Sequence, residues 1–134
     1  MSEQKIPAIS KAEHMKAVEK WTEIIHETKG NKKFIEYGFL GGVRVWSPCS
    51  YCEHIHKYDA SLDKCVLCTL NRMQTQKHNS NEKIPICMGS TDIDSAAGIF
   101  VLLMRENKRT EALYYAEAVL EALNKIGAEL GYND

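Results

Sequence analysis

The chain carries almost no excess charge: 17 Lys and Arg stand against 18 Asp and Glu over 134 residues, a net charge of −1. Binding to nucleic acid by bulk attraction, which rests on many phosphate contacts, has no basis in such a balance. Long hydrophobic runs are missing as well. The longest, residues 96–104, is nine residues, about half of what a membrane-spanning helix requires, so no membrane association is expected. Glu3, Gln4 and Lys5 are followed by no apolar run, which does not read as a secretory signal and makes the cytoplasm the expected compartment. There is no Gly-rich phosphate loop, no nucleophile elbow and no patterned carboxylate pair. Nor is there an internal repeat beyond two paired cysteine turns. The cysteines number five; an odd set suits disulfides poorly, and in a reducing compartment paired cysteines more often bind metal.

Those two turns are the most specific feature present. Cys49-Ser-Tyr-Cys52 and Cys65-Val-Leu-Cys68 are separated by 12 residues. One Cys-x-x-Cys turn offers two thiolates a metal-width apart, and a second completes a tetrahedron. A closed four-thiolate shell leaves no open position, which marks a structural rather than a catalytic Zn²⁺. The stretch between the pairs has little to pack besides Ile55, Tyr58 and Leu62. Without a metal it would not offset its ordering entropy, whereas structural Zn²⁺ contributes about 10–16 kcal/mol of apparent binding free energy. Iron–sulfur ligation uses the same residues. Redox dithiol chemistry needs only one pair and a strand–helix setting. Cys87 reads as a buried thiol or as a replacement ligand, and His54, His56 and His78 are alternative fourth ligands.

The length suits a single domain, 1–134, burying about two-thirds of its unfolded surface. Ser10-Lys-Ala-Glu13 fits a capping box opening a helix to about Lys29, with Gly30 as a left-handed stop. Met15, Val18, Trp21, Ile24 and Ile25 give it one apolar face, with Trp21 as a core anchor and Lys16, Lys20 and Glu23 on the wet side. Between Phe34 and Trp46 the chain is β-rich around Gly41-Gly42, a two-residue hairpin turn; a short helical stretch at 32–38 competes. Residues 47–88 form a loop-rich zinc lobe. A helical turn through Leu67, Leu70 and Met73 is expected there, and Gln74 to Lys83 reads as a polar loop. Caps offered by Ser90, Thr91, Asp92 and Asp94 lead into a buried helix from about Asp94 to Arg105. A break at 107–110, with one continuous helix as the alternative, precedes a last helix over 109–130, with Leu113, Ala116, Leu120, Leu123, Gly127 and Leu130 on one stripe flanked by Val119 and Ile126, and Glu121–Lys125 paired outside. The expected fold is α+β and mostly helical: an N-terminal helix, a short β-hairpin, a zinc-knuckle or ribbon lobe, and a C-terminal helical hairpin.

Charge is unevenly placed. Residues 1–90 carry 13 Lys and Arg against 10 Asp and Glu, and residues 91–134 carry 4 against 8. Lys29, Lys32, Lys33 and Arg44 are the nearest thing to a phosphate-contacting cluster, and they read equally as a solvated loop. Pro48-Cys49-Ser-Tyr-Cys52 matches half of the zinc deaminase signature, but neither His14 nor His26 opens a His-x-Glu. A metal-dependent nuclease of the His-Asn-His kind would draw on His54, His56 and His78, although His78-Asn79 lacks a following helix that repeats a histidine.

The order of helix with Trp21, Cys49/Cys52, Cys65/Cys68 and Cys87-Met-Gly89-Ser90 resembles small bacteriophage- and prophage-encoded proteins with a Cys-x-x-Cys…Cys-x-x-Cys-Pro…Cys-x-Gly-Thr-Pro pattern. The likeness spans about 40 residues, with Thr69 and Thr91 where that family has prolines and with longer spacers. It implies a phage accessory protein and a place for Cys87 near the metal. The expectation is a non-catalytic zinc-stabilised binding protein with a protein partner. A nucleic-acid-binding zinc protein and a His-Asn-His nuclease are the alternatives.

Overall fold

The computed structural model describes residues 9–30, 73–78, 80–86 and 95–132, with the backbone pairing of 34–35, 39–40 and 43–44. Three helices dominate, with short antiparallel strands between the first and second, a mostly helical α+β arrangement. Helix α1 is Lys11–Lys29. The Ser10 hydroxyl accepts from the Glu13 N–H at 3.2 Å and donates to the Glu13 carboxylate at 3.0 Å, so the cap forms and Glu13 reaches back. The other end differs from expectation: Gly30 has φ −76° and ψ 3°, a helical-side conformation rather than a left-handed one. Its N–H reaches the His26 carbonyl at 2.9 Å.

Helix α2, Ala96–Arg105, is buried at every position except Leu102 and Arg105. Its cap is Ser95, one residue beyond the expected run of capping residues; the buried Ser95 hydroxyl accepts from the Gly98 N–H at 3.1 Å. Helix α3, Arg109–Leu130, occupies the span read from the sequence. Between them Asn107 takes φ 58°. The Asn107 N–H bonds the Met104 carbonyl at 3.1 Å and the Lys108 N–H bonds the Leu103 carbonyl at 2.8 Å. These are the two bonds of a Schellman stop, with asparagine tolerating the left-handed position. The same device ends α3, where Gly131 has φ 76°. There the Gly131 N–H meets Ala128 at 3.2 Å and the Tyr132 N–H meets Gly127 at 2.7 Å.

Strands β1 (Phe34–Ile35), β2 (Phe39–Leu40) and β3 (Val43–Arg44) form an antiparallel sheet in the order β1-β2-β3. Leu40 pairs with Val43, the register that a two-residue connection requires; Gly41 and Gly42 themselves lie outside the described residues. At 34–35 the backbone is strand rather than helix. Strands β4 (Gln74–Gln76) and β5 (Lys83–Pro85) pair antiparallel, Thr75 opposite Ile84. The segment expected to be a polar loop is therefore a hairpin; Met73 leads into its first strand, and the helical turn expected through Leu67 and Leu70 lies outside the described residues. Its connection closes with Lys77 N–H on the Glu82 carbonyl at 2.8 Å and Glu82 N–H on the Ser80 hydroxyl at 3.0 Å.

Helix α3 lies along both α1 and α2, and the core sits in that sandwich. Phe100, Ile24, Ile86, Leu123, Val101 and Val119 are fully buried there, each side chain contributing about 1.5–3 kcal/mol. Trp21 is the expected anchor, 6% exposed and edge-on to Phe100 at 5.7 Å. Two faces match their expected stripes in part. On α1 Trp21, Ile24 and Ile25 are buried as expected, joined by His14, Ala17 and Thr28, while Met15 and Val18 are half-buried. On α3 Ala116, Leu123 and Gly127 are buried with their flanking Val119 and Ile126, joined by Ala112, Tyr115 and Ala122, while Leu113 and Leu120 are half-buried and Leu130 is exposed. Thr28 enters the core because its hydroxyl bonds the Ile24 carbonyl of its own helix at 2.7 Å.

Candidate functional site

The predicted metal ligands Cys49, Cys52, Cys65 and Cys68 lie outside the described residues, as do Cys87, His54 and His56. Lys32 and Lys33 do too. What the structure gives is the framework on either side of that segment. Strand β3 ends at Arg44, after pairing with β2 and passing beside α1. The chain is next described at Met73, half-buried against the core. The Met73 carbonyl accepts from the Ile86 N–H at 2.9 Å, and the Ile86 carbonyl accepts from the Ala97 N–H at 3.0 Å. Ile86, 1% exposed, thus joins three pieces of backbone: the start of β4, the end of β5 and the first turn of α2. Cys87 follows it directly in sequence, and Cys68 lies five residues before Met73.

The hairpin is fastened to α3 by two adjacent tyrosines. The Tyr115 hydroxyl accepts from the His78 N–H at 2.8 Å, and the Tyr114 hydroxyl donates to the Gln76 carbonyl at 2.6 Å. Their rings meet edge-on, with centroids 5.0 Å apart, and the His78 ring tilts against Tyr114 at the same separation. His78 is therefore an exposed residue of a β-turn region packed on a helix. The segment 74–86, expected within the zinc lobe, stands against the helical core instead.

Other residues singled out by sequence fall in separate places. Lys29 is exposed at the end of α1, and Arg44 is known here by its backbone pairing with Phe39. His26 is exposed, whereas His14 is fully buried, its ring tilted 48° to Tyr132 at 5.6 Å. Burial holds the His14 imidazole below the ordinary value of 6.5, because a charged ring there would lose its hydration. Tyr132 in turn donates its hydroxyl to the Ile9 carbonyl at 2.8 Å. Ile9 is itself buried, at 5% exposure.

Among the described residues no group of three or more His, Cys, Asp or Glu side chains could hold a metal ion, and no helix is long and apolar enough to cross a membrane. Sequence reasoning overlooked Tyr114, Tyr115, Tyr132 and His14. For His14 a signal existed: 14, 17, 21, 24 and 28 repeat at alternating steps of three and four, hidden because its members include a histidine, an alanine and a threonine. The tyrosines carried none, since their partners lie 37, 38 and 123 residues away. Comparison of the chain with protein-family models, with curated proteins and with solved structures finds no match.

Proposed function

We propose that this chain is a zinc-stabilised, non-catalytic binding protein that docks on another protein. One Zn²⁺ is held by Cys49, Cys52, Cys65 and Cys68, and it makes a segment of poor apolar content foldable. The observation that carries this reading is the pair of Cys-x-x-Cys turns 12 residues apart, a donor set of four thiolates that suits tetrahedral zinc. The helical framework supports it by holding Arg44 and Met73, the described residues on either side of the cysteine segment, on the same helical core. Zinc in such a shell supplies folding free energy and no open coordination position; the cysteines hold it as thiolates, which ties its binding to pH. The sequence likeness to phage-encoded proteins gives the setting: an accessory protein acting on, and inhibiting, a host or phage protein complex in the cytoplasm.

Metal analysis of the purified chain tests the first part. One zinc per chain is expected, lost in Cys49→Ser and Cys52→Ser together with soluble yield. Full solubility and an unchanged circular dichroism melt in both variants would remove the metal reading, and iron in place of zinc would redraw it. Capture from host lysate with and without nuclease tests the second part. A stoichiometric protein partner that survives nuclease supports docking. Partners lost with nuclease would favour nucleic-acid binding through the exposed Lys29 and its sequence neighbours.

A further inference from the structure

We infer that the hydroxyls of Tyr114 and Tyr115 on α3 keep the outer edge of β4 closed to strand pairing. The partner that the opened edge takes is a second copy of this chain, laid antiparallel along Gln74–Gln76. Every residue involved is a described one, and no cysteine takes part.

The register decides which backbone groups face outward. Along an antiparallel pair, residues that exchange bonds alternate with residues that do not. The Ile86 N–H on the Met73 carbonyl and the Lys77 N–H on the Glu82 carbonyl mark the bonded positions at either end of the hairpin, and Thr75 opposite Ile84 has the same parity. Gln74 and Gln76 therefore turn their N–H and C=O groups away from β5, and Lys83 and Pro85 turn theirs away from β4. A row of such groups is a template for a further strand.

The two edges are blocked differently. On β5, Pro85 has no N–H to give, and Lys83 is exposed and charged. On β4 the residues are Gln, Thr and Gln, and the block comes from α3. The Tyr114 hydroxyl donates to the Gln76 carbonyl at 2.6 Å, and the Tyr115 hydroxyl accepts from the His78 N–H at 2.8 Å. A paired strand runs about 4.8 Å from its neighbour, so the Tyr114 phenol stands inside the space such a strand needs. Proline is a permanent block; a docked side chain is a removable one.

The strand itself points to the occupant. Gln74-Thr75-Gln76 reads the same in both directions. Two copies set antiparallel about Thr75 bring Gln74 of each opposite Gln76 of the other, and these are the residues whose backbone groups face outward. Both copies then present the same surface, as a two-fold interface requires. No charge lies in the strand and the whole chain carries only −1, so little repulsion opposes the pairing. Three residues a side make few bonds, and the association is weak and concentration-dependent.

Sedimentation equilibrium of the full chain over a concentration series compares wild type with Tyr114→Phe/Tyr115→Phe. The substitution leaves both rings, so Tyr115, 3% exposed, keeps its place in the core. The average mass of the variant is expected to climb with concentration towards twice that of the wild type. Adding Gln76→Pro, which deletes an outward N–H and no bond of the hairpin ladder, is expected to return it to the wild-type mass. A double variant whose mass tracks the wild type overturns the inference. So does association that Gln76→Pro leaves in place, because it uses another surface. A wild type that already associates and is dispersed by Gln76→Pro overturns it too, since its edge would be open. If the double variant loses its helical circular dichroism, Tyr114→Phe alone, at the half-buried position, carries the same comparison, and an unchanged mass there has the same force.

Discussion

The helical sandwich and the β4–β5 hairpin are held by different forces. In the sandwich, side chains from α1, α2 and α3 interlock around Phe100, Ile24 and Leu123. Among its described residues the hairpin buries Ile84 and Ile86 in that core, with Met73 half-buried against it, and otherwise attaches through the His78 ring, tyrosine hydroxyls and single backbone bonds. A buried isoleucine contributes about 1.5–3 kcal/mol, and a hydrogen bond exchanged against water only about 0.5–1.5 kcal/mol net. The hairpin therefore rests on a few kilocalories, and it is the region expected to open first in local fluctuations. Apolar burial makes the sandwich stable; polar attachment makes the hairpin adjustable.

The contrast can be broken from the sandwich side. Phe100→Ala removes a fully buried ring that also receives the edge of Trp21; a loss of about 3–5 kcal/mol is expected in denaturant melts. A loss below 1 kcal/mol would mean that the core collapses around the gap. Acid reaches the same core by another route. His14 is held neutral by burial, with its folded pKa below the ordinary 6.5. The unfolded chain takes up a proton there that the folded chain refuses. This contribution is fully present above about pH 6.5 and is lost progressively as pH falls below it. Thermal melts on both sides of that value should show a shallower acid loss in His14→Gln than in wild type; parallel slopes would exclude His14 as the source.

Smaller effects sharpen the comparison. At Gly131 a Cβ would meet no atom within 4 Å, so Gly131→Ala isolates the cost of φ 76°, about 1–2 kcal/mol. Urea melts of the variant check it; a neutral result would mean the end of α3 relaxes out of the left-handed turn. The smallest change is Lys125→Ala. Its ammonium lies 3.6 Å from Glu121, with both side chains more than 60% exposed, and no more than about 0.5 kcal/mol should be lost, with less at high salt.

Elements held by local signals were legible in the sequence. Helix α3 begins and ends where the sequence places it, Ser10 and Glu13 cap α1 as their spacing requires, and the Gly41-Gly42 connection lies between paired residues. The hairpin was not legible. Each of its strands is three residues, too short to display alternation, and Gln74, Gln76 and Lys83 carry no hydrophobic signal. Part of its attachment comes from Tyr114 and Tyr115, which local pattern cannot connect to it. The stripes on α1 and α3 were legible in part: Trp21, Ile24, Ile25, Ala116, Leu123 and Gly127 are buried as read. His14, Ala17, Thr28 and Ala112 were missed because small and polar residues carry little hydrophobic signal. The candidate metal ligands rest on spacing alone and lie outside the described residues, whereas 74–78 and 80–86, expected within the same lobe, pack with the helices.

The bond between the Tyr132 hydroxyl and the Ile9 carbonyl spans 123 positions of sequence, yet it joins the first and the last of the described residues. In topological terms the described fold is nearly a ring, cut between 132 and 9. The exposed turn at Glu106–Lys108 is a natural second place to cut, at the loss of its two Schellman bonds. A chain that starts at 109, crosses from 132 to 9 through a short linker and finishes at 106 would keep every packed surface of the sandwich. It would also turn the longest-range contact of the molecule into one of its most local, and chains rich in local contacts fold faster.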